Sequence, residues 1–185
     1  MRDIMFIWKY IDIPIKDIQK VQAEYKSAIP KNELFYQTVN IKIKKFMGLR
    51  IEKAVLIQVK PEKKDSNIYD SNIYPYGYST LDIHKDKLLG HGGELAINIP
   101  LDNCENSITS FWKTDKPQIK KFTIHALAYY GYPDDTHFEK IDEFKLTQPV
   151  IFNTQIPHSV INPTDKWRRA ISLRFIEDPW HLTKL

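Results

Sequence analysis

The sequence predicts a mainly β protein: an antiparallel double-stranded β-helix, or jelly roll, with one sheet backed by N-terminal helices. Three observations predict it. From about residue 73 the chain breaks into short β-rich runs separated by clusters of Gly, Pro, Asn and Asp, the spacing of a sandwich or barrel rather than of βαβ units. Ahead of them, "IKDIQKVQAEYKSAI" (15–29) carries apolar residues at helical intervals. Finally, two of the β-rich runs have one greasy face and one small, polar face, which suits a sheet packed on one side and lining a pocket on the other.

The elements follow in order. In the first, Ile15, Ile18, Val21, Gln22, Tyr25 and Ile29 fall near one helical stripe, and Pro30 stops it. A second helix is expected around 41–53, and "AVLIQVK" (54–60) is a β-rich run ended by Pro61. Strands are expected near 76–85, 94–100, 108–112, 122–129, 149–153, 156–161 and 168–176. "SNIYDSNIY" (66–74) is a near-repeat too short for a solenoid and reads as a turn-rich approach to a strand. At 185 residues the chain is expected to form one domain, with 1–60 as helical and strand support and 73–176 as the jelly-roll core.

Face assignments come from alternation. In "ELAINIPL", Leu95, Ile97, Ile99 and Leu101 share one side of a strand, Ala96 and Asn98 the other. In "RRAISLRF", Arg169, Ile171, Leu173 and Phe175 alternate with Arg168, Ala170, Ser172 and Arg174. The greasy sides are expected to take the N-terminal helices. The small, polar sides are expected to line a cavity, where Ala and Ser leave room and Arg, Asn and Ser supply hydrogen bonds.

Composition bounds the function classes. Hydrophobic residues make up 42% and charged residues 27%, as in an ordinary globular protein. With one cysteine, Cys104, no disulfide can form within the chain. Cys104 lies among Asp102, Asn103 and Glu105, with no basic neighbour to make it a nucleophile. The N-terminal "MRDIMFIWKYIDIP" has neither a signal-peptide core nor the roughly 18 apolar residues of a membrane span, so no membrane partner is expected and the cytoplasm is the expected compartment. The net charge is +4. Part of that excess sits in "KIKKFMGLRIEK" (42–53), which allows a nucleic-acid partner, although a solvated basic face is the favoured reading.

The chemistry starts at "YPYGYSTLDIHKDK" (74–87). On a strand, His84 and Asp86 are two residues apart and share a face, so both can reach one ion. With six His and 23 acidic residues, about one H-x-[DE] match arises by chance, so the triplet needs support. His158, in "PVIFNTQIPHSVIN", supplies a third donor on another β-rich run. Two imidazoles and one carboxylate on one side of an ion leave the opposite side open, which suits Fe(II) chemistry. Zinc hydrolases use similar donors, but the sequence holds no H-E-x-x-H helix.

At these residues the sequence resembles the 2-oxoglutarate/Fe(II)-dependent oxygenases, prolyl-hydroxylase-like members included. The resemblance rests on His84-Lys85-Asp86, on His158, and on Arg168 ten residues beyond it. The flanks add "YP" ten residues before His84, "AINIPLDN" after Asp86, "IPHSVIN" around His158 and the "RRAISLRF" strand, together covering about 73–176. It implies His84, Asp86 and His158 as iron ligands, and Arg168 as the fork for the C5 carboxylate of 2-oxoglutarate. Arg169 competes for that role, but strand parity favours Arg168. Ser172, Asn98 and Tyr74 are expected as further co-substrate contacts, and Arg174 as a contact for substrate or for the C1 carboxylate. The implied reaction uses O₂ and 2-oxoglutarate to hydroxylate an aliphatic C–H of an amino-acid side chain or small molecule, releasing succinate and CO₂. Asp86 argues against halogenation, which needs the carboxylate position free.

Two other classes stay open beside it: a cupin-like jelly roll that binds a ligand without turnover, and a nucleic-acid-binding protein using 42–53. Of the remaining histidines, His91 sits beside glycines in what reads as a loop, while His125, His137 and His181 lack a partner at ligand spacing. Phe111, Trp112, Tyr129, Tyr130 and Tyr132 read equally as packing or as substrate wall.

Overall fold

Two antiparallel sheets pack face to face, and consecutive strands of the core pass from one sheet to the other. A computed structural model describes residues 6–28, 36–39, 44–59, 80–86, 94–115, 126–128 and 137–184. The strands are β1 (Trp8–Tyr10), β2 (Tyr36–Val39), β3 (Lys45–Phe46), β4 (Leu49–Val59), β5 (Thr80–Asp86), β6 (Leu95–Asp102), β7 (Ile108–Thr114), β8 (Ala126–Ala128), β9 (Phe138–Lys145), β10 (Val150–Asn153), β11 (His158–Ile161) and β12 (Arg168–Phe175). Helix α1 spans Ile15–Ala28, and a 3₁₀ helix spans Pro179–Lys184. The seven-stranded sheet runs β1-β10-β6-β12-β4-β2, with β3 paired to β4; the five-stranded sheet runs β8-β5-β11-β7-β9. From β5 to β7, and again from β10 to β12, successive strands alternate between the sheets. That alternation is the winding of a jelly roll, so the expected fold class holds.

Alternation in the strands sorts the core into layers. On the outer face of the seven-stranded sheet, Leu95, Ile97, Ile99, Ile171, Leu173 and Phe175 form one cluster with Val21 and Tyr25 of α1. Burying Val21 completely stabilises this docking by about 1.5–3 kcal/mol. Gln22 Nε2 adds a hydrogen bond to the Pro100 carbonyl oxygen, 3.2 Å. Of the expected stripe, Val21 and Tyr25 are buried and Ile18 and Gln22 partly buried, whereas Ile15, the first residue of the helix, is 67% exposed and Ile29 lies outside the described residues. Between the sheets, Ala96, Phe111, Phe144, Val150, Phe152 and Ala170 form a second cluster. The small residues of β6 and β12 thus do face inward, as their alternation predicts.

The expected helix around 41–53 is corrected over residues 44–53, which form the β3–β4 hairpin instead. Phe46 pairs with Leu49 across a two-residue turn in which Met47 and Gly48 both have positive φ, 50° and 81°. This is the primed geometry that matches strand twist, and Gly48 is the residue that permits it. The pairing also puts Phe46, Leu49 and Ile51 onto the outer cluster beside α1. Tertiary burial decides the matter where helical spacing was ambiguous.

The basic residues of that segment are divided by the hairpin. Lys44 and Lys45 are exposed, whereas Arg50 binds Glu177 through both its backbone N–H and its Nε. Lys53 is the cross-strand partner of Arg174 and so faces inward with it. Strands β1, β2, β3 and β9, and the first half of β4, were not expected from the sequence. Among the described residues, no helix is long and apolar enough to cross a membrane.

Candidate metal centre

His84 and Asp86 close strand β5, and His158 opens β11 beside it. The two strands pair so that His158 stands directly opposite His84, with ring centroids 4.4 Å apart. Among the described residues, His84, Asp86 and His158 are the group of acid, thiol and imidazole side chains whose donor atoms lie within 4.8 Å of one another. His84 Nε2 lies 3.8 Å from Asp86 Oδ1, beyond hydrogen-bond reach and close enough for both to meet one ion.

One turn fixes the backbone of Asp86. Thr154 and Gln155 lie in the turn that connects β10 to β11; the Thr154 carbonyl oxygen accepts from Asp86 N (3.1 Å), and Gln155 Nε2 donates to the Asp86 carbonyl oxygen (3.0 Å). Thr154 itself is tied by its N–H and Oγ1 to the Glu94 carbonyl oxygen, 2.8 Å each. Sequence spacing gave no hint of Gln155, because its partner is a backbone oxygen 69 residues away.

His158 is held in one protonation and one tautomer. Its Nδ1 lies 2.9 Å from the Ile156 carbonyl oxygen, which can only accept, so Nδ1 carries the proton and Nε2 keeps its lone pair. Phe152 and Phe111 flank the ring, with centroids at 5.4 and 6.2 Å. Burial among them, with His84 opposite, pushes its pKa down to about 4. The imidazole is therefore neutral at physiological pH, the form that binds metal.

Asp86 is pulled the other way. Burial alone would raise its carboxyl, but the Arg174 guanidinium outweighs that and, with the imidazoles, holds it below the usual carboxylate range. Arg174 Nη2 donates to Asp86 Oδ2 at 2.5 Å. Arg174, expected as a contact for substrate or co-substrate, is thus engaged with the carboxylate of the triad.

The inner face of β12 extends away from this group. Arg168 is fully buried there, its Nε donating to Ser107 Oγ (3.3 Å), and Ser107 Oγ in turn donating to the Cys104 carbonyl oxygen (2.7 Å). Arg169 points to the opposite face, toward Gln58 Oε1 (3.0 Å) and Asp102 Oδ2 (3.4 Å). Between Arg168 and Arg174 lies Ser172, directly opposite Asn98 of β6. Ser172 Oγ and Asn98 Oδ1 are both buried without a hydrogen-bond partner. Buried polar atoms of that kind are uncommon in folded proteins.

Other expected residues fall elsewhere. Tyr74, His91, His125, Tyr129, Tyr130 and Tyr132 lie outside the described residues. Phe111 is core between the sheets, while Trp112 packs with Ile83 and Phe138 and donates Nε1–H to Ser159 Oγ, 2.9 Å. His137 is exposed beside Asp115, and His181 is exposed too. Cys104 is buried, its thiol donating to the Arg169 carbonyl oxygen at 2.9 Å; burial pushes its pKa up, which fits a structural thiol.

No family model and no curated protein matches the sequence. Among solved structures, the chain is similar to EvdMO1 at 12% identity and a TM-score of 0.49, over 92% of this chain and 47% of that one. The chain thus spans about half the length of EvdMO1. It is also similar to AviO1 from Streptomyces viridochromogenes Tue57, at 10% identity and a TM-score of 0.44, over 92% and 89% of the two chains. A third is SnoK, a non-heme alpha ketoglutarate dependent carbocyclase from nogalamycin biosynthesis, at 11% identity and a TM-score of 0.48, over 97% and 87%. Likeness at this level is likeness of chain path, and the chemistry has to be argued from the side chains themselves.

Proposed function

We propose that the chain is a 2-oxoglutarate- and Fe(II)-dependent oxygenase that hydroxylates an aliphatic C–H of an amino-acid side chain or small molecule. The observation that carries this reading is the meeting of His84, Asp86 and His158, donor atoms within 4.8 Å, with His158 neutral and its Nε2 lone pair open. Two imidazoles and one carboxylate, taken one donor each, leave three positions of a six-coordinate ion for exogenous ligands. The polar floor beside them fits the co-substrate: buried Arg168 suits the C5 carboxylate as a two-pronged donor, and Ser172 Oγ and Asn98 lie along the same inner face. With Fe(II), 2-oxoglutarate and O₂ bound, the site would supply an oxidant that puts one oxygen atom into the substrate and the other into succinate, with loss of CO₂.

The chain's own residues then have separable duties. His84, Asp86 and His158 hold the ion; Phe111 and Phe152 keep bulk water from the His158 side. Arg168 fixes the far end of the co-substrate and so its orientation. The substrate class is carried from the resemblance, and the cytoplasm from the chain's single cysteine, which fits a reducing compartment.

Anaerobic absorbance spectroscopy tests this. Fe(II) and then 2-oxoglutarate are added to the wild type, Arg168→Ala and Arg169→Ala. The expected result is a visible charge-transfer band in the wild type and in Arg169→Ala, with Arg168→Ala needing about 100-fold more co-substrate, as for loss of a buried charged partner. Fe(II) binding without a band would leave a metal-binding jelly roll without this turnover. No metal binding at all would end the metal reading.

A further inference from the structure

Arg174 joins the two sheets at the metal centre. It stands on β12 of the seven-stranded sheet, and its Nη2 reaches Asp86 Oδ2, at the end of β5 in the other sheet, at 2.5 Å. Both side chains are largely buried, 17% and 18% exposed. The second oxygen of the same carboxylate, Oδ1, is the one turned toward His84 Nε2. The two oxygens therefore have different neighbours: a guanidinium on one, the imidazole donor on the other. Lys53, opposite Arg174 on β4, faces the same way, and the two cations repel each other.

We propose, resting on the metal reading above, that Arg174 is a positioning residue that makes Asp86 a one-oxygen ligand. A carboxylate with both oxygens free can chelate an ion through both. Chelation by Asp86 would consume a fourth position and leave two, too few for a bidentate 2-oxo acid plus one further ligand. With Oδ2 engaged by Arg174, only Oδ1 is offered, and the open face keeps three positions. Arg174 also fixes the direction of that one bond, because its Nη2–H lies in a rigid, planar guanidinium whereas a lysine ammonium rotates freely. Outer partners of this kind set ligand geometry and affinity together. An ion pair that served only to tie the sheets would leave the metal's spectrum untouched when replaced.

Cobalt(II) is the probe, titrated under argon into the wild type, Arg174→Gln, Arg174→Lys and Arg169→Gln. Visible absorption reports affinity and coordination, and circular dichroism reports folding. The expected result for Arg174→Gln is an affinity loss of about 10-fold or more, with a changed visible band per bound ion. Arg174→Lys, which keeps the charge between the sheets, recovers part of the affinity without the wild-type band; it carries the test if the Gln variant does not fold. Arg169→Gln loses its bonds to Gln58 and Asp102 on the other face and keeps the wild-type band. A folded Arg174→Gln with wild-type affinity and band overturns the proposal while leaving the metal centre intact. A wild type that binds no cobalt(II) overturns the metal reading itself, and this one with it.

Discussion

Ser172 and Asn98 stand opposite each other on β12 and β6, and Ser172 Oγ and Asn98 Oδ1 are buried with no hydrogen-bond partner. Leaving such a group dry costs about 1–3 kcal/mol. Replacing Ser172 with Ala removes the hydroxyl without opening a large cavity. The ligand-free protein is therefore expected to gain about 1 kcal/mol in urea unfolding. The same variant is expected to bind 2-oxoglutarate more weakly in the anaerobic absorbance titration. A loss of both stability and affinity would mean that Ser172 Oγ is already satisfied in the folded protein.

Acid should destabilise the metal-free protein in a defined window. His158 is held down to about 4 from its ordinary 6.5. Between those values the unfolded chain binds a proton that the folded chain refuses, so stability rises with pH there and falls as pH drops. The full shift corresponds to about 3 kcal/mol, present above pH 6.5 and spent by about pH 4. Asp86, whose carboxyl is held below its ordinary 3.8, adds a further loss on the acid side of that window. Urea unfolding of the metal-free protein from pH 7.5 to 4 measures the slope, and His158→Gln should flatten it. An equal slope in that variant would place the acid sensitivity elsewhere.

Much of this arrangement was legible in the sequence because alternation is a local code. The parity of "RRAISLRF" put Arg168, Ala170, Ser172 and Arg174 on one side, and the structure has them on the inner face with Arg169 turned away. The spacing of His84, Asp86 and His158 named a group that the β5–β11 pairing brings together. Strand β9 does not show in the sequence because "FEKIDEFK" is an edge strand with charges on most of its exposed positions, and its apolar residues, Phe138, Ile141 and Phe144, fall three apart rather than alternating. The hairpin around Gly48 carries helical spacing because two strands folded onto one core can mimic it. Bonds such as Arg174 to Asp86 and Gln155 to the Asp86 backbone join residues 88 and 69 positions apart, which no local pattern encodes.

The β3–β4 turn offers a test of backbone strain apart from packing. A Cβ added at Gly48 would meet nothing within 4 Å, yet its φ is 81°. Gly48→Ala is therefore expected to destabilise by about 1 kcal/mol through backbone conformation alone. Thermal unfolding followed by circular dichroism measures it. An unchanged midpoint would show that the turn relaxes to another type without disturbing Phe46 and Leu49.

Ser107 gives the means to separate co-substrate binding from metal binding. Its Oγ accepts from Arg168 Nε at 3.3 Å and donates to the Cys104 carbonyl oxygen at 2.7 Å. The bond to Arg168 is long, so its loss is worth about 1 kcal/mol, or roughly fivefold in affinity. Ser107 lies on the Arg168 side of the sandwich and makes no bond to His84, Asp86 or His158 among the described residues. Ser107→Ala is therefore expected to raise the 2-oxoglutarate concentration needed for the charge-transfer band about fivefold and to leave cobalt(II) affinity where it was. In turnover, KM for 2-oxoglutarate should rise with kcat nearly constant, since the bond is made equally in the ground and transition states. A matching loss of cobalt(II) affinity would mean that Ser107 acts by holding the sheets together, and Arg168 would then need another source for its orientation.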